Sequence, residues 1–209
     1  MKKLSTAIVI VLSLVIFIFS QCNPTENKAD SSMNTTDTTT AVMDNNGGFE
    51  SQVKRGEHLV IIAGCNDCHT PKKMTPMGPQ LDTSLLLSGH PAHMPPPDVD
   101  RKAMETKGLA VTQTLTAWVG PWGISYAANL TSDSTGIGDW DESRFIYCIR
   151  NGKWEGLAGS RSLLPPMPWD MYKQMTDDEL KAIFAYLKST KPINNMVPAA
   201  APPLSAPKM

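Results

Sequence analysis

The sequence predicts an all-α domain in which three helices are connected by long, proline-rich loops. Three segments carry this prediction: residues 53–64, 141–151 and 176–191. In the last two, apolar side chains recur at helical spacing, the main sequence signal for a helix with one buried face. The 17 prolines and 14 glycines among 209 residues indicate much irregular backbone between the helices.

The signals for where a helix begins and ends are clearest near the C-terminus. Residues 176–179, Thr-Asp-Asp-Glu, have the spacing of a capping box and place acidic side chains at the positive end of the helix. The apolar stripe that follows consists of Leu180, Ile183, Phe184 and Leu187. The middle segment, 141–151, is followed by Gly152, a common helix stop.

The composition excludes two classes of protein. A formal net charge of −1 removes the long-range attraction to nucleic acid that a basic protein has, so we predict no nucleic-acid partner. Four cysteines in 209 residues are too few for a disulfide scaffold. The length fits one domain with extended ends.

The first 22 residues have the pattern of an export signal. Lys2 and Lys3 precede an apolar run over residues 7–19, shorter than the roughly 20 residues that a spanning helix needs. Cys22 follows, so the segment resembles a bacterial lipoprotein signal, with residues 1–21 removed and Cys22 lipidated. An uncleaved anchor and ordinary cleavage are the alternatives. All three place the rest of the chain in the cell envelope, on the exported, periplasmic side of the membrane.

Two regions of biased composition flank a domain that we predict over residues 49–193. Residues 22–48 are rich in Thr, Ser, Asn and Asp and are expected to form a flexible tether. Residues 194–209 are rich in Pro and Ala and are expected to be a disordered tail. Neither region has enough apolar surface to offset the entropy lost on ordering.

The motif that indicates chemistry is the C-x-x-C-H sequence over residues 65–69. This spacing is the attachment signature of c-type haem. Each thiol can add to one vinyl group of the porphyrin, and the adjacent imidazole then faces the iron. We therefore predict one covalent haem c, attached through Cys65 and Cys68, with His69 as an iron ligand.

Three other interpretations of the motif fit the sequence less well. A structural zinc site needs a second ligand pair, whereas the next cysteine, Cys148, is isolated. A thioredoxin-like redox pair needs a strand before the motif and a helix after it, and here a helical segment precedes it. A disulfide at this separation has poor geometry and gives little stabilisation.

With this motif and several further segments, the chain resembles the class I cytochrome c family. Within that family it is most similar to the exported, single-haem domains of bacterial dehydrogenase-associated cytochromes. The other matching segments are residues 78–81, 129–131, 136–140, 166–169 and the last helix. The resemblance implies the class I cytochrome c fold, with helices and proline-rich loops around one covalent haem.

The second iron ligand is predicted to be Met167. It lies in the segment Leu-Pro-Pro-Met-Pro-Trp, residues 164–169, where prolines restrict the backbone. The resemblance places the ligand methionine at this point, just before the last helix. Met94, His90 and His93, in the proline-rich stretch after the motif, are the rival candidates.

The resemblance also implies roles for three other residues. The carbonyl of Pro79 would accept a hydrogen bond from the iron-bound histidine and so orient its ring. Leu81 would pack on the porphyrin. Gly56 would let the first and last helices cross closely, against Phe184 or Tyr186.

Iron with two protein ligands has no open position for a substrate, so the expected function is one-electron transfer and not catalysis. The expected partners are redox proteins, namely a membrane dehydrogenase or a terminal oxidase, and the membrane itself through the lipid anchor. The chain would act as a free carrier or as a subunit of a dehydrogenase complex. The alternative is a haem-based sensor or peroxidase-like enzyme with an open sixth position.

Overall fold

The computed structural model describes residues 46–206. The predicted signal segment, Cys22 and nearly all of the predicted tether lie outside these residues. Within them the helices are α1 (Gln52–Ile62), α2 (Cys65–His69), α3 (Arg101–Lys107), α4 (Glu142–Asn151), α5 (Trp169–Tyr172) and α6 (Asp177–Ser189). The strands are β1 (Lys72–Thr75), β2 (Gly78–Leu81), β3 (Val111–Thr112), β4 (Ala117–Gly120) and β5 (Gly123–Tyr126).

The prediction of an all-α fold is wrong, because the described residues are 35% helical and 13% strand, with two antiparallel sheets. Strands β1 and β2 form a hairpin, with Lys72 opposite Leu81. Strands β3, β4 and β5 form the second sheet in that order. Each strand has four residues or fewer, and β4 is buried along its whole length. Such short or fully buried strands lack the alternating pattern by which a strand is predicted.

The close crossing of the first and last helices is confirmed. Gly56 is buried on α1, and a Cβ built there would lie 1.9 Å from the backbone oxygen of Ala182 and 2.8 Å from Cβ of Tyr186. Tyr186 was one of the two expected neighbours, and the nearest atoms belong to the backbone of α6. No side chain larger than a hydrogen atom fits there without movement of a helix.

Local capping explains where α4 and α6 begin and end. The Thr176 hydroxyl accepts from the Glu179 amide, and the Glu179 carboxylate accepts from the Thr176 amide, which completes the predicted capping box. The side chain of Asp141 caps α4, and Gly152 ends it with a φ of 58°, in the left-handed region that glycine adopts at low cost.

The core lies where α1, α4 and α6 meet. Phe145 of α4 and Phe184 of α6 stack with ring centroids 5.5 Å apart. Leu87 and Ile137, both in loops, are fully or almost fully buried in the same cluster. The half-buried side chains packed against this core include Cys65 and Met167, among others. The cluster therefore joins the segment of the motif to that of the predicted second ligand.

The segment predicted as a disordered tail is held to the domain in its described part, residues 194–206, here called the C-terminal strap. The amide of Asn195 donates to the carbonyls of Ser88 and His90, at 2.7 and 2.9 Å. Further along, Ala201 exchanges two backbone hydrogen bonds with Ile124 at the edge of β5. The strap is ordered by backbone pairing and by side-chain hydrogen bonds, including those of Asn195 and of Arg101 and Glu105 on α3, and composition gives no sign of either.

None of the helices within residues 46–206 is long and apolar enough to cross a bilayer.

Candidate haem site

The motif residues occupy a single short helix. Helix α2, Cys65–His69, follows α1 after Gly64, which adopts a φ of 67° and so redirects the chain. Cys65 and Cys68 are three positions apart, and side chains at that spacing share one face of a helix. The two thiols therefore point to the same side of α2, as attachment to one porphyrin requires.

Both motif cysteines are free and half-buried in this structure. Burial raises the pKa of the Cys65 thiol to about 11, and burial also raises the pKa of Cys68. Reactive cysteines of redox pairs have lowered pKa values, because the thiolate is the attacking species. The electrostatics of α2 thus differ from those of a thioredoxin-like pair. The structure also has the predicted helix, and no strand, immediately before the motif.

The imidazole of His69 has one nitrogen fixed and one free. Its Nδ1 lies 2.7 Å from the carbonyl oxygen of Ala128. Because a carbonyl only accepts, Nδ1 must carry the hydrogen, and the lone pair is then on Nε2. Burial lowers the pKa of His69, which favours the neutral ring. A neutral imidazole with its lone pair on Nε2 is the form that binds a metal.

The resemblance assigned the carbonyl partner of this histidine to Pro79, whereas the structure gives that position to Ala128. Pro79 is exposed in β2, opposite Met74 of the β1–β2 hairpin, and Leu81 ends the same strand, 36% exposed. No sequence signal identifies Ala128, because any residue has a backbone carbonyl. The neighbouring Asn-Leu-Thr segment, residues 129–131, was the one hint in the sequence.

The turn after Ala128 holds this carbonyl in place. The Asn129 side-chain oxygen accepts from the amide and the hydroxyl of Thr131, at 3.0 and 2.8 Å. The Asn129 amide donates to the carbonyl of Ile193, 2.9 Å away, just after α6. Asn129 and Thr131 are both buried. The orientation of the His69 ring therefore depends on a turn that is itself fixed to the segment that follows α6.

Met167 is half-buried in the loop between α4 and α5, packed against the same core as Cys65. The amide of Leu163 donates to the carbonyl of Gly152, 2.7 Å away, which fixes the loop at the end of α4. After Met167, the hydroxyl of Tyr172 donates to the carbonyl of Ala63, at 2.5 Å. Ala63 lies two residues before Cys65, so this bond ties the segment after Met167 to the start of the motif.

The rival histidine His90 has both ring nitrogens engaged. Its Nε2 donates to the carbonyl of Met94 at 2.8 Å, so its Nδ1 accepts from the hydroxyl of Thr116 at 2.9 Å. The ring is buried and stacks on Tyr126 at 4.9 Å. His90 is thus a core side chain whose two ring nitrogens both have hydrogen-bond partners, and its bond to Met94 holds the loop that follows it. His93 is exposed, and Met94 is half-buried in that loop.

Within residues 46–206, no group of three or more His, Cys, Asp or Glu side chains is placed to hold a metal ion. A structural zinc site would need four such ligands in tetrahedral geometry.

The donor set on α2 matches what covalent haem needs. Two thiols lie on one face of a helix, and the next residue is a histidine whose ring is held with Nε2 free. Cys65 and Cys68 would form the thioethers, and His69 would bind the iron. The motif and the arrangement of its side chains on α2 indicate a domain of the c-type cytochrome class.

Comparison with known proteins gives the relationship more closely. The chain is 27% identical over 144 residues to the fructose dehydrogenase cytochrome subunit of Gluconobacter japonicus, covering 68% of this chain and 22% of that protein. It is 26% identical over 138 residues to the gluconate 2-dehydrogenase cytochrome c subunit of Pantoea cypripedii, covering 66% and 23%. It is 34% identical over 152 residues to the cytochrome c subunit of alcohol dehydrogenase (quinone) of Gluconacetobacter polyoxogenes, covering 70% and 26%.

These relatives are cytochrome c subunits of dehydrogenases, which supports a relationship of the chain to the dehydrogenase-associated cytochrome c family. The chain spans about a quarter of the length of these three relatives. No family model matches the chain.

Proposed function

We propose that this chain is an electron carrier that holds one covalent haem c, with His69 and Met167 as the two iron ligands. The observation that carries the proposal is the geometry of α2, where two thiols share a face and the adjacent imidazole has its Nδ1 occupied by Ala128. Bound haem would supply a one-electron couple between Fe(III) and Fe(II). The chain has no catalytic residue in this proposal.

The protein's part is to hold the ligands and limit access of water. The Ala128 carbonyl fixes the tautomer of His69 and makes its Nε2 a better donor. As an iron ligand, the thioether of Met167 would favour the reduced state relative to a second histidine. The apolar core behind Cys65 and Met167 disfavours the additional charge of the oxidised state. If His69 and Met167 hold the iron in both oxidation states, electron transfer would require little reorganisation of the protein.

The proposed partner is a membrane-associated dehydrogenase that delivers electrons to this chain, and the proposed class of acceptor is a terminal oxidase. This follows from the names of the relatives, which are cytochrome subunits of fructose, gluconate and alcohol dehydrogenases. We also propose that residues 1–21 direct export and that Cys22 carries a lipid, with residues 22–48 as the tether. The lipid would raise the effective concentration of the domain near a membrane partner.

The visible spectrum of the purified, denatured protein in alkaline pyridine tests the proposed cofactor. A porphyrin with two thioethers and one with two free vinyl groups give different reduced spectra, so the measurement reports covalent haem c directly. Haem quantified in the same sample against protein should give one haem per chain. A colourless preparation that carries zinc would refute the proposal.

Replacing Met167 by alanine should abolish the near-red charge-transfer band that methionine gives to oxidised haem. The reduced variant should bind carbon monoxide rapidly, because the sixth position is then open. Met171→Ala is the matched control, since Met171 lies four residues further along and is 68% exposed. Absorption spectra and stopped-flow mixing measure both effects.

Two results would contradict the assignment. If Met167→Ala keeps the band and Met94→Ala loses it, the ligand is Met94. If the unmodified reduced protein already binds carbon monoxide rapidly, the sixth position is open and the sensor or peroxidase-like alternative is favoured.

A further inference from the structure

We propose that Ser125 is a positioning residue for the sixth iron ligand, and that it acts on Met167 through the carbonyl of Pro165. The inference rests on the proposed ligation by Met167. It is based on a hydrogen bond between Ser125 in the β4–β5 hairpin and Pro165, two residues that are 40 positions apart in sequence. Pro165 lies in the loop that carries Met167, here called the ligand loop.

The hydroxyl of Ser125 is buried and has a defined direction. Its Oγ donates to the carbonyl of Pro165 at 2.6 Å, and it accepts from the indole Nε1 of Trp122 at 3.0 Å. An indole nitrogen only donates, so the hydroxyl hydrogen is free to point at Pro165. Each bond in such a chain polarises the next, so the contact at Pro165 is strengthened by Trp122.

The hairpin that carries Ser125 is held on both sides. Ser125 pairs with Trp118 in β4, and the other edge of β5 is bonded to Ala201 of the C-terminal strap. The indole of Trp122 packs closely on Gly120, where an added Cβ would lie 2.6 Å from the ring. Ser125 is therefore a fixed point against which the ligand loop is placed.

The path from Pro165 to Met167 is short and stiff. Prolines at 165, 166 and 168 fix three φ angles around Met167. The Met167 amide donates to the carbonyl of Leu164 at 3.2 Å, which closes a turn over the same residues. A shift of the Pro165 carbonyl is thus transmitted to Met167, because few backbone angles between them can absorb it. Without the Ser125 hydroxyl, the Met167 thioether should leave the iron more often.

The test uses the purified protein with haem bound. In Ser125→Ala, carbon monoxide should bind the reduced protein about three- to tenfold faster, the factor expected for loss of one buried hydrogen bond. The near-red band of the oxidised protein should also fade at a lower temperature. Ser125→Thr keeps a hydroxyl and should return the rate to near that of the unmodified protein. The control is Ser162→Ala, at an exposed serine of the same loop.

If Ser125→Ala does not fold, a second variant provides the test. Trp122→Phe removes the indole donor and retains a ring on Gly120, and a smaller increase in the same rate is expected. Unfolding by denaturant is measured in parallel for every variant. If stability falls while the carbon monoxide rate and the band stay unchanged, Ser125 is merely structural and the inference is wrong. If the unmodified protein lacks the band, the proposed ligation by Met167 fails, and this inference fails with it.

Discussion

Gly56→Ala should destabilise the domain by about 2–3 kcal/mol, the cost of overpacking at a rigid contact. At an exposed helix position, replacing glycine by alanine is stabilising because alanine has the higher helix propensity. At position 56, however, the alanine Cβ would lie 1.9 Å from the backbone oxygen of Ala182. That oxygen belongs to helix α6 and cannot rotate away as a side chain would. Helices α1 and α6 must separate, which loosens the core of which Leu59 and Ile183 are part. Denaturant unfolding followed by circular dichroism measures the loss.

Gly159→Ala is the matched control, because a Cβ there would meet nothing within 4 Å. We expect a change within about 0.5 kcal/mol, as for most surface substitutions. If Gly56→Ala is as stable as this control, α1 and α6 do not cross at Gly56 as described.

The helices could be predicted because their signals are local. The Thr176–Glu179 capping box and the left-handed stop at Gly152 each depend on a few adjacent residues, and the structure has both. The motif at residues 65–69 was equally visible, since its chemistry needs a fixed spacing. Where adjacent residues determine the local structure, the sequence alone is sufficient to predict that structure.

The parts that were missed depend on distant backbone groups. Ala128 meets His69 across 59 residues, and it does so through a carbonyl that every residue has. The edge of β5 pairs with Ala201, in a segment whose proline-rich composition indicated disorder. Strands β1 to β5 are too short to show alternation, so they were predicted as irregular loops. The contacts of Ala128 and Ala201 join segments that are far apart in sequence, so no local pattern indicates them.

The same distinction applies to the candidate site. Three of the residues predicted to touch haem through side chains, Cys65, Cys68 and His69, are close together in sequence and so lie together on α2. Met167 could be chosen as a candidate ligand from the prolines around it in the sequence. The hydrogen bonds that hold its loop in place could not be predicted in this way. Ser125 has no sequence neighbour in the candidate site, and the role proposed for it rests on its 2.6 Å contact with Pro165.

The double variant Cys65→Ala, Cys68→Ala should lose all covalently attached pigment. Both thiols lie on one face of α2, and each would form one of the two thioethers. His69 and Met167 remain and could still hold haem without a covalent bond, so colour alone is not the readout. Acidified acetone protonates the histidine and extracts any untethered haem. We expect complete extraction from the double variant and none from the unmodified protein.

Cys148→Ala is the control for this experiment, because Cys148 is a buried thiol outside the motif, on α4. Burial raises the pKa of Cys148 to about 11, as it does for Cys65, so ionisation alone does not distinguish the two thiols. The distinction is position: Cys65 and Cys68 lie beside a histidine with Nε2 free, and Cys148 belongs to the core. Cys148→Ala should therefore keep its pigment in acidified acetone, with only a modest loss of stability. Pigment that stays with the double variant, or that leaves with Cys148→Ala, would show that attachment does not occur through α2.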